Sequence, residues 1–111
     1  MAERRFRVVW AEAAARDLED IVAFVAEDSV TSAGRLLSTL RGRAASLERV
    51  PMRGRVVPEL SRFGMRSWRE VVARPYRIVY RISGDTVTVL AVLDGRRDLE
   101  DLLLERLLRT S

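Results

Sequence analysis

The side chains able to do chemistry in this sequence are arginines and carboxylates, and little else. Every basic residue is an arginine, twenty in all, and histidine, cysteine, lysine, asparagine and glutamine are absent. A histidine general base, a thiolate nucleophile, a Schiff-base lysine and a His/Cys zinc site are thereby excluded. No cofactor and no metal are expected. What remains is suited to holding anions. A guanidinium stays charged at physiological pH, so it grips phosphate or carboxylate with two parallel donors and rarely moves a proton. Arg74, Arg77, Arg81, Arg96 and Arg97 are the candidates for a target-binding basic cluster. Arg77 and Arg81 share one face of a predicted strand. Arg96 and Arg97 follow Gly95 where another strand ends, a place where a rigid scaffold often presents functional residues. Arg77 and Arg81 could instead make surface ion pairs with Glu70 or Asp94, worth only ~0–1 kcal/mol each. Glu70 has the chemistry of a base, yet with arginines near it an ion pair is the expected role.

The net charge of +4 is unevenly placed. Residues 1–52 hold eight arginines and eight acids, residues 53–97 hold ten against four, and residues 98–111 hold two against four. Basic charge gathered in one segment implies an anionic partner, whether RNA, DNA or an acidic protein.

The elements that must position these residues follow from periodicity. Phe6 to Trp10 has strand composition. Ala14, Leu18, Ile21, Val22 and Val25 then fall on one helical face. Ser29 is a fitting N-cap for a second helix, whose Val30, Ala33, Leu37, Leu40, Ala44 and Leu47 repeat at alternating steps of three and four. Residues 11–49 therefore read as an antiparallel helical hairpin. Pro51 ends it, and Met52 to Gly64 is a connector. Trp68 to Ala73 is a predicted strand. Tyr76, Ile78, Tyr80 and Ile82 alternate with Arg77, Val79 and Arg81, as on a strand with one buried and one mostly polar face. Both tyrosines, with Trp10 and Trp68, are expected in the core. Gly84-Asp85 is a two-residue hairpin signal, and Thr86 to Leu93 is a buried strand. Asp98 caps a last helix carrying Leu99, Leu102, Leu103, Leu104, Leu107 and Leu108, more leucine than one narrow stripe needs. The order is β-α-α-β-β-β-α, an α+β domain with a helical hairpin on a small, mainly antiparallel sheet. At 111 residues, one domain over 1–111 is expected. No apolar run is long enough for a membrane span, the charged start lacks a signal-peptide core, and a cysteine-free chain suits the cytoplasm.

That order, with several strings, resembles the RelE/ParE toxin family of type II toxin–antitoxin systems. The strings are Trp10 ahead of a helix with Asp17-Leu18 and Ile21, then Gly54 to Leu60, Arg69-Glu70-Val71, Pro75 to Arg81, and Val87 to Leu93 leading into Gly95-Arg96-Arg97-Asp98. They cover nearly the whole chain in the family's order. The resemblance implies a growth-arresting toxin neutralised by a cognate antitoxin in a hetero-oligomer. Leu102, Leu103 and Leu107 are the candidates for the surface that the antitoxin covers.

The family divides by target. RelE-like members cut messenger RNA on the ribosome with basic residues and a late tyrosine. The attacking 2′-hydroxyl must lose a proton while phosphate charge is neutralised. Arg77 and Arg97 fall where such enzymes keep arginines, so they are the catalytic candidates if this chain is a nuclease. The lysine positions fall near Trp68 and Glu70, and the late tyrosine at about Leu103. ParE-like members lack that set and poison DNA gyrase. The Arg69-Glu70, Pro75-Tyr76-Arg77 and Gly95 to Leu99 wording looks more like theirs, so gyrase inhibition is preferred. A ribosome-dependent endoribonuclease is the alternative, and a non-enzymatic nucleic-acid-binding module the second.

Overall fold

Ser29 splits the helical region in two, as its capping chemistry implies. Its Oγ accepts the Ser32 N–H at 3.1 Å, which ends α1 (Glu12–Asp28) and starts α2 (Val30–Ala45). The computed structural model describes residues 4–110, so Met1 to Glu3 of the charged leader lie outside the described residues. Before the hairpin comes β1 (Arg7–Trp10), and after it two 3₁₀ turns at Ser46–Glu48 and Pro51–Arg53. The connector holds more structure than its composition suggested: β2 (Arg55–Val56) and the one-turn helix α3 (Pro58–Ser61). The chain then forms β3 (Trp68–Ala73), β4 (Tyr76–Ser83), β5 (Thr86–Asp94) and α4 (Glu100–Thr110).

The five strands make one sheet in the order β1-β5-β4-β3-β2. Pairing is antiparallel except between β1 and β5, which run parallel because the helical hairpin connects β1 to the rest. The architecture is thus α+β with a mainly antiparallel sheet, as the sequence implies. Gly84 (φ +59°) occupies the first position of the β4–β5 loop, which only glycine enters without strain.

Helices cover both faces. On one, Ala14, Leu18, Leu40 and Ala44 of the hairpin pack on Ala73, Tyr76, Ile78, Val89 and Val92. On the other, Leu60 of α3, Leu99 just before α4 and Leu103 within it pack on Trp68, Val79, Leu90 and Ala91. The face of β4 carrying Arg77 and Val79 is therefore covered, where alternation alone gave it as mostly polar. A bulge places Leu90 and Ala91 on the same side: Val79 pairs with Ala91 and Tyr80 with Val89, leaving Leu90 as the extra residue.

Tyr80 is buried, and its hydroxyl fixes the connector. It donates to the Pro51 carbonyl at 2.6 Å and accepts the Gly54 N–H at 3.0 Å. A side chain at Gly54 would meet that hydroxyl and lie 2.5 Å from the Glu70 carbonyl, so only glycine fits there.

Candidate functional site

The turn between β3 and β4 and the end of β5 lie side by side. Gly95 N–H donates to the Pro75 carbonyl at 2.7 Å, and a Cβ on Gly95 would sit 3.0 Å from Arg77 Cδ. The missing side chain leaves passage for the Arg77 stem. Around this junction Arg43, Arg55, Arg74, Arg77 and Arg96 line one open groove of about 910 Å³. Arg43 reaches it from α2, where its guanidinium donates to the Val72 carbonyl at 3.0 Å.

Arg77 is the buried member, only 9% exposed. Its Nη1 and Nη2 donate to the two Glu59 carboxylate oxygens, both at 2.7 Å, and its Nε donates to Glu70 Oε1 at 2.6 Å. Glu70 is 1% exposed, and its other oxygen accepts from Arg55 Nε at 2.7 Å. Two arginines and two glutamates thus close a neutral network between α3, β2, β3 and β4. The contact with Glu59 raises the Arg77 pKa further above its already high value, against the opposing effect of burial. The same contact holds the Glu59 carboxyl below its ordinary range. The predicted ion-pair role of Glu70 is thus what its contacts display. Arg77 is occupied as well as basic.

The other predicted arginines divide. Arg74 is exposed on the β3–β4 turn and lines the groove. Arg96 lines it too, with its guanidinium on Asp94 at 2.7 and 3.0 Å. That contact pulls the Asp94 carboxyl down to about 2. Arg97 is exposed on the adjoining loop, its backbone N–H on the Asp94 carbonyl at 3.2 Å, but it does not line the groove. Arg81 belongs elsewhere. It shares the strand face of Arg77, as alternation requires, but four residues on, which is roughly 13 Å along a strand. Buried Val79 separates the two, and the Arg81 guanidinium lies 5.1 Å from the centre of the Trp68 ring. The basic cluster is therefore Arg74, Arg77 and Arg96 with Arg97 beside it, and Arg81 is outside it.

Over residues 8–99 the sequence matches the family profile described as the ParE toxin of the type II toxin–antitoxin system ParDE. The chain belongs to the ParE toxin family. Among solved structures it is similar to a chain of the chromosomal ParDE toxin–antitoxin system of P. aeruginosa. That likeness has a TM-score of 0.68 at 18% identity and covers 82% of this chain and 97% of the other. It is also similar to a chain of the RelBE2 toxin–antitoxin complex from Mycobacterium tuberculosis, with a TM-score of 0.62 at 23% identity over 84% of this chain and 94% of that one. A search of curated proteins gives no significant match. At these identities the structural likeness shows the fold alone, and the family rests on the profile.

For this ParE-family chain the remaining candidates fall as follows. Tyr76, Tyr80 and Trp68 are buried, and Trp10 is partly buried. Of the leucines proposed for the antitoxin, Leu103 is 2% exposed and packs onto the sheet, so it is core and not surface. Helical spacing explains this: Leu99 and Leu103 stack one turn apart on the inner face. Leu102 and Leu107 are half-buried, and Leu108 is 79% exposed. Leu104, Leu107 and Leu108 instead border a second groove of about 550 Å³ with Met65, Trp68 and Arg81. No helix among the described residues is long and apolar enough to cross a membrane.

Sequence reasoning missed Arg43, Arg55, Glu59 and the Asp17–Arg106 contact. Arg43 sits in the charge-balanced first half, and nothing in its spacing aims it at the β3–β4 turn. Glu59, following Pro58, had one available signal: an acid in the first turn of a short helix.

Proposed function

We propose that this chain is a toxin of the ParE kind that inhibits DNA gyrase by binding it as a protein, and that a cognate antitoxin holds it inactive. The observation carrying this reading is the state of Arg77. By the family resemblance, the ribonuclease reading puts that guanidinium on the scissile phosphate, yet here Glu59 and Glu70 take its Nε and both Nη groups. Proton transfer is equally ill served. The Tyr80 hydroxyl is buried, its pKa is raised by desolvation, and it is spent on Pro51 and Gly54. Tyr76 is buried as well. What faces solvent is a rim of cations, Arg74, Arg96 and Arg97, suited to carboxylates on a protein surface.

The two solved relatives belong to toxin–antitoxin complexes, ParDE and RelBE2. By that analogy this chain has an antitoxin partner, and the apolar lining of the groove bordered by Leu104, Leu107 and Leu108, with Arg81 at its edge, is what supports placing an amphipathic, acid-flanked segment of it there. The test is direct. Purified protein at micromolar concentration is added to gyrase, and supercoiling and cleavage-complex formation are followed. Inhibition relieved by the antitoxin is the expected result. Unchanged gyrase activity, together with codon-linked cuts in translated messages of expressing cells, would replace this reading with the ribonuclease one.

A further inference from the structure

Three of the groove arginines stand at an even step along β3. Arg55 pairs with Glu70 in the β2–β3 register, and its Nε meets that carboxylate at 2.7 Å. Arg43, coming from α2, donates through Nη1 to the Val72 carbonyl at 3.0 Å. Arg74 follows, exposed at the turn. The three therefore sit at the levels of residues 70, 72 and 74, steps of about 6.6 Å on an extended strand. That step is close to the spacing of successive phosphates along a nucleic-acid strand.

Charge and shape narrow what fits. Besides its arginines and Gly95, only Val72 and Pro75 line the groove, so a docking protein segment would find little apolar surface to bury. Its five guanidiniums stand against three carboxylates, Glu59, Glu70 and Asp94, each already in an ion pair. Among the described residues, no carboxylate pairs with Arg43 or Arg74. The bonds to Val72 and Glu70 hold two of the forks in place and leave Arg43 Nη2 and both Arg55 Nη groups to donate elsewhere. No aromatic ring lines the groove, so it offers no platform for stacking an unpaired base. A regular row of phosphates, bound without reading the bases, suits it best.

We propose that Arg55, Arg43 and Arg74 grip successive phosphates of one strand of a DNA duplex. The inference deepens the gyrase reading and rests on it for the source of the DNA, the segment that gyrase holds. Arg96 and Arg97, across the turn, remain for carboxylates of gyrase itself. Arg77 takes no part, being held by Glu59 and Glu70.

The test uses the full chain without antitoxin and a short labelled DNA duplex, followed by fluorescence anisotropy. Binding in the micromolar range is expected at about 50 mM salt, and three phosphate contacts should raise Kd about 40-fold for a fourfold rise in salt. Two unrelated sequences should bind alike. Arg43→Ala and Arg74→Ala should each weaken binding about tenfold and lower the salt slope by about one. Arg35→Ala, at an exposed position of α2 outside the groove, removes the same charge and should leave affinity within about twofold. Arg74 is on an exposed turn, so its variant keeps the comparison clear of folding even where Arg43→Ala is destabilised.

Equal losses in all three variants would assign the binding to net charge and overturn the proposal. Tighter binding of duplex RNA or of polyglutamate would overturn it too, by giving the groove to RNA or to an acidic protein. So would no binding of DNA at low salt, even with gyrase still inhibited. The expected pattern of DNA binding with gyrase untouched would support this site and sink the gyrase reading alone.

Discussion

Asp17 of α1 and Arg106 of α4 meet in a two-pronged ion pair, with Nη1 and Nη2 at 2.9 and 3.0 Å from the two carboxylate oxygens. The two helices lie on opposite faces of the sheet, so the pair passes around the end of β1 and ties the layers together. It also completes the backbone. The β5 bulge turns the Leu90 carbonyl outward where β1 has ended, and Arg106 satisfies it, while Asp17 satisfies the Val92 N–H. The contact with Asp17 raises the Arg106 pKa further.

This pair should behave as a unit. Asp17→Ala and Arg106→Ala each leave a partly buried charge and a backbone group unpaired, at a cost of ~1–3 kcal/mol. The double variant should cost far less than the sum, because neither charge then remains. Urea midpoints of the four proteins measure the coupling. An additive cycle would show that the helices are held by packing alone.

Arg77 and the rim arginines should fail in different ways. Arg77→Ala leaves Glu59 and Glu70 facing each other with only Arg55 between them, a loss of about 3–5 kcal/mol for a broken buried pair. Any relief of growth arrest would then come from lost folded protein. Arg74→Glu and Arg96→Ala sit in solvent and should shift stability by only about 0.5 kcal/mol. They should nonetheless weaken gyrase inhibition. Thermal midpoints and supercoiling assays on the same preparations separate the two effects. An Arg77→Ala protein as stable as the parent would refute the buried network.

How far the sequence reached depends on the distance over which a residue acts. The hairpin, the strand alternation and the Gly84 turn were legible because they are set by neighbours within a few positions. The side of β4 on which Arg77 lies was legible too, but not that helices cover that side. The Arg77 partner Glu59 was not, since an 18-residue separation and a one-turn helix carry no period. Arg81 shows the same limit: alternation fixes its face but not that Trp68 lies across from it on β3. Leu103 was misplaced because six leucines in one helix hide which stripe faces the sheet.

Acid should loosen the network in a defined direction. The Glu59 carboxyl is held below its usual 4.5, chiefly by the hydrogen bond from Arg77. A folded value below the unfolded one means that its stabilisation is whole above about pH 4.5 and fades as pH falls through the depressed folded value. Melting temperature should therefore drop on acidification, and Glu59→Gln should flatten that part of the curve. Asp94, drawn down to about 2 by Arg96, acts in the same sense, but at an exposed contact that salt screens. The comparison is best made at high salt, where superimposable curves for the parent and Glu59→Gln would deny Glu59 this role.

The leucines of α4 divide into two functions, and substitution should separate them. Leu103, in the core against Trp68 and Val79, should lose about 2–5 kcal/mol as Leu103→Ala through the cavity left behind. Leu108 sits one turn beyond Leu104 on the rim of the apolar groove and is largely exposed, so folding gains little from it. Leu108→Glu should leave the melting temperature within a degree or two of the parent, since surface changes rarely exceed about 0.5 kcal/mol. Its cost should fall on the antitoxin instead, because a carboxylate there must be desolvated when an apolar segment docks. Co-expression with the cognate antitoxin, followed by co-purification and growth, reads this out. A Leu108→Glu chain that is still captured and neutralised like the parent would place the antitoxin on another face.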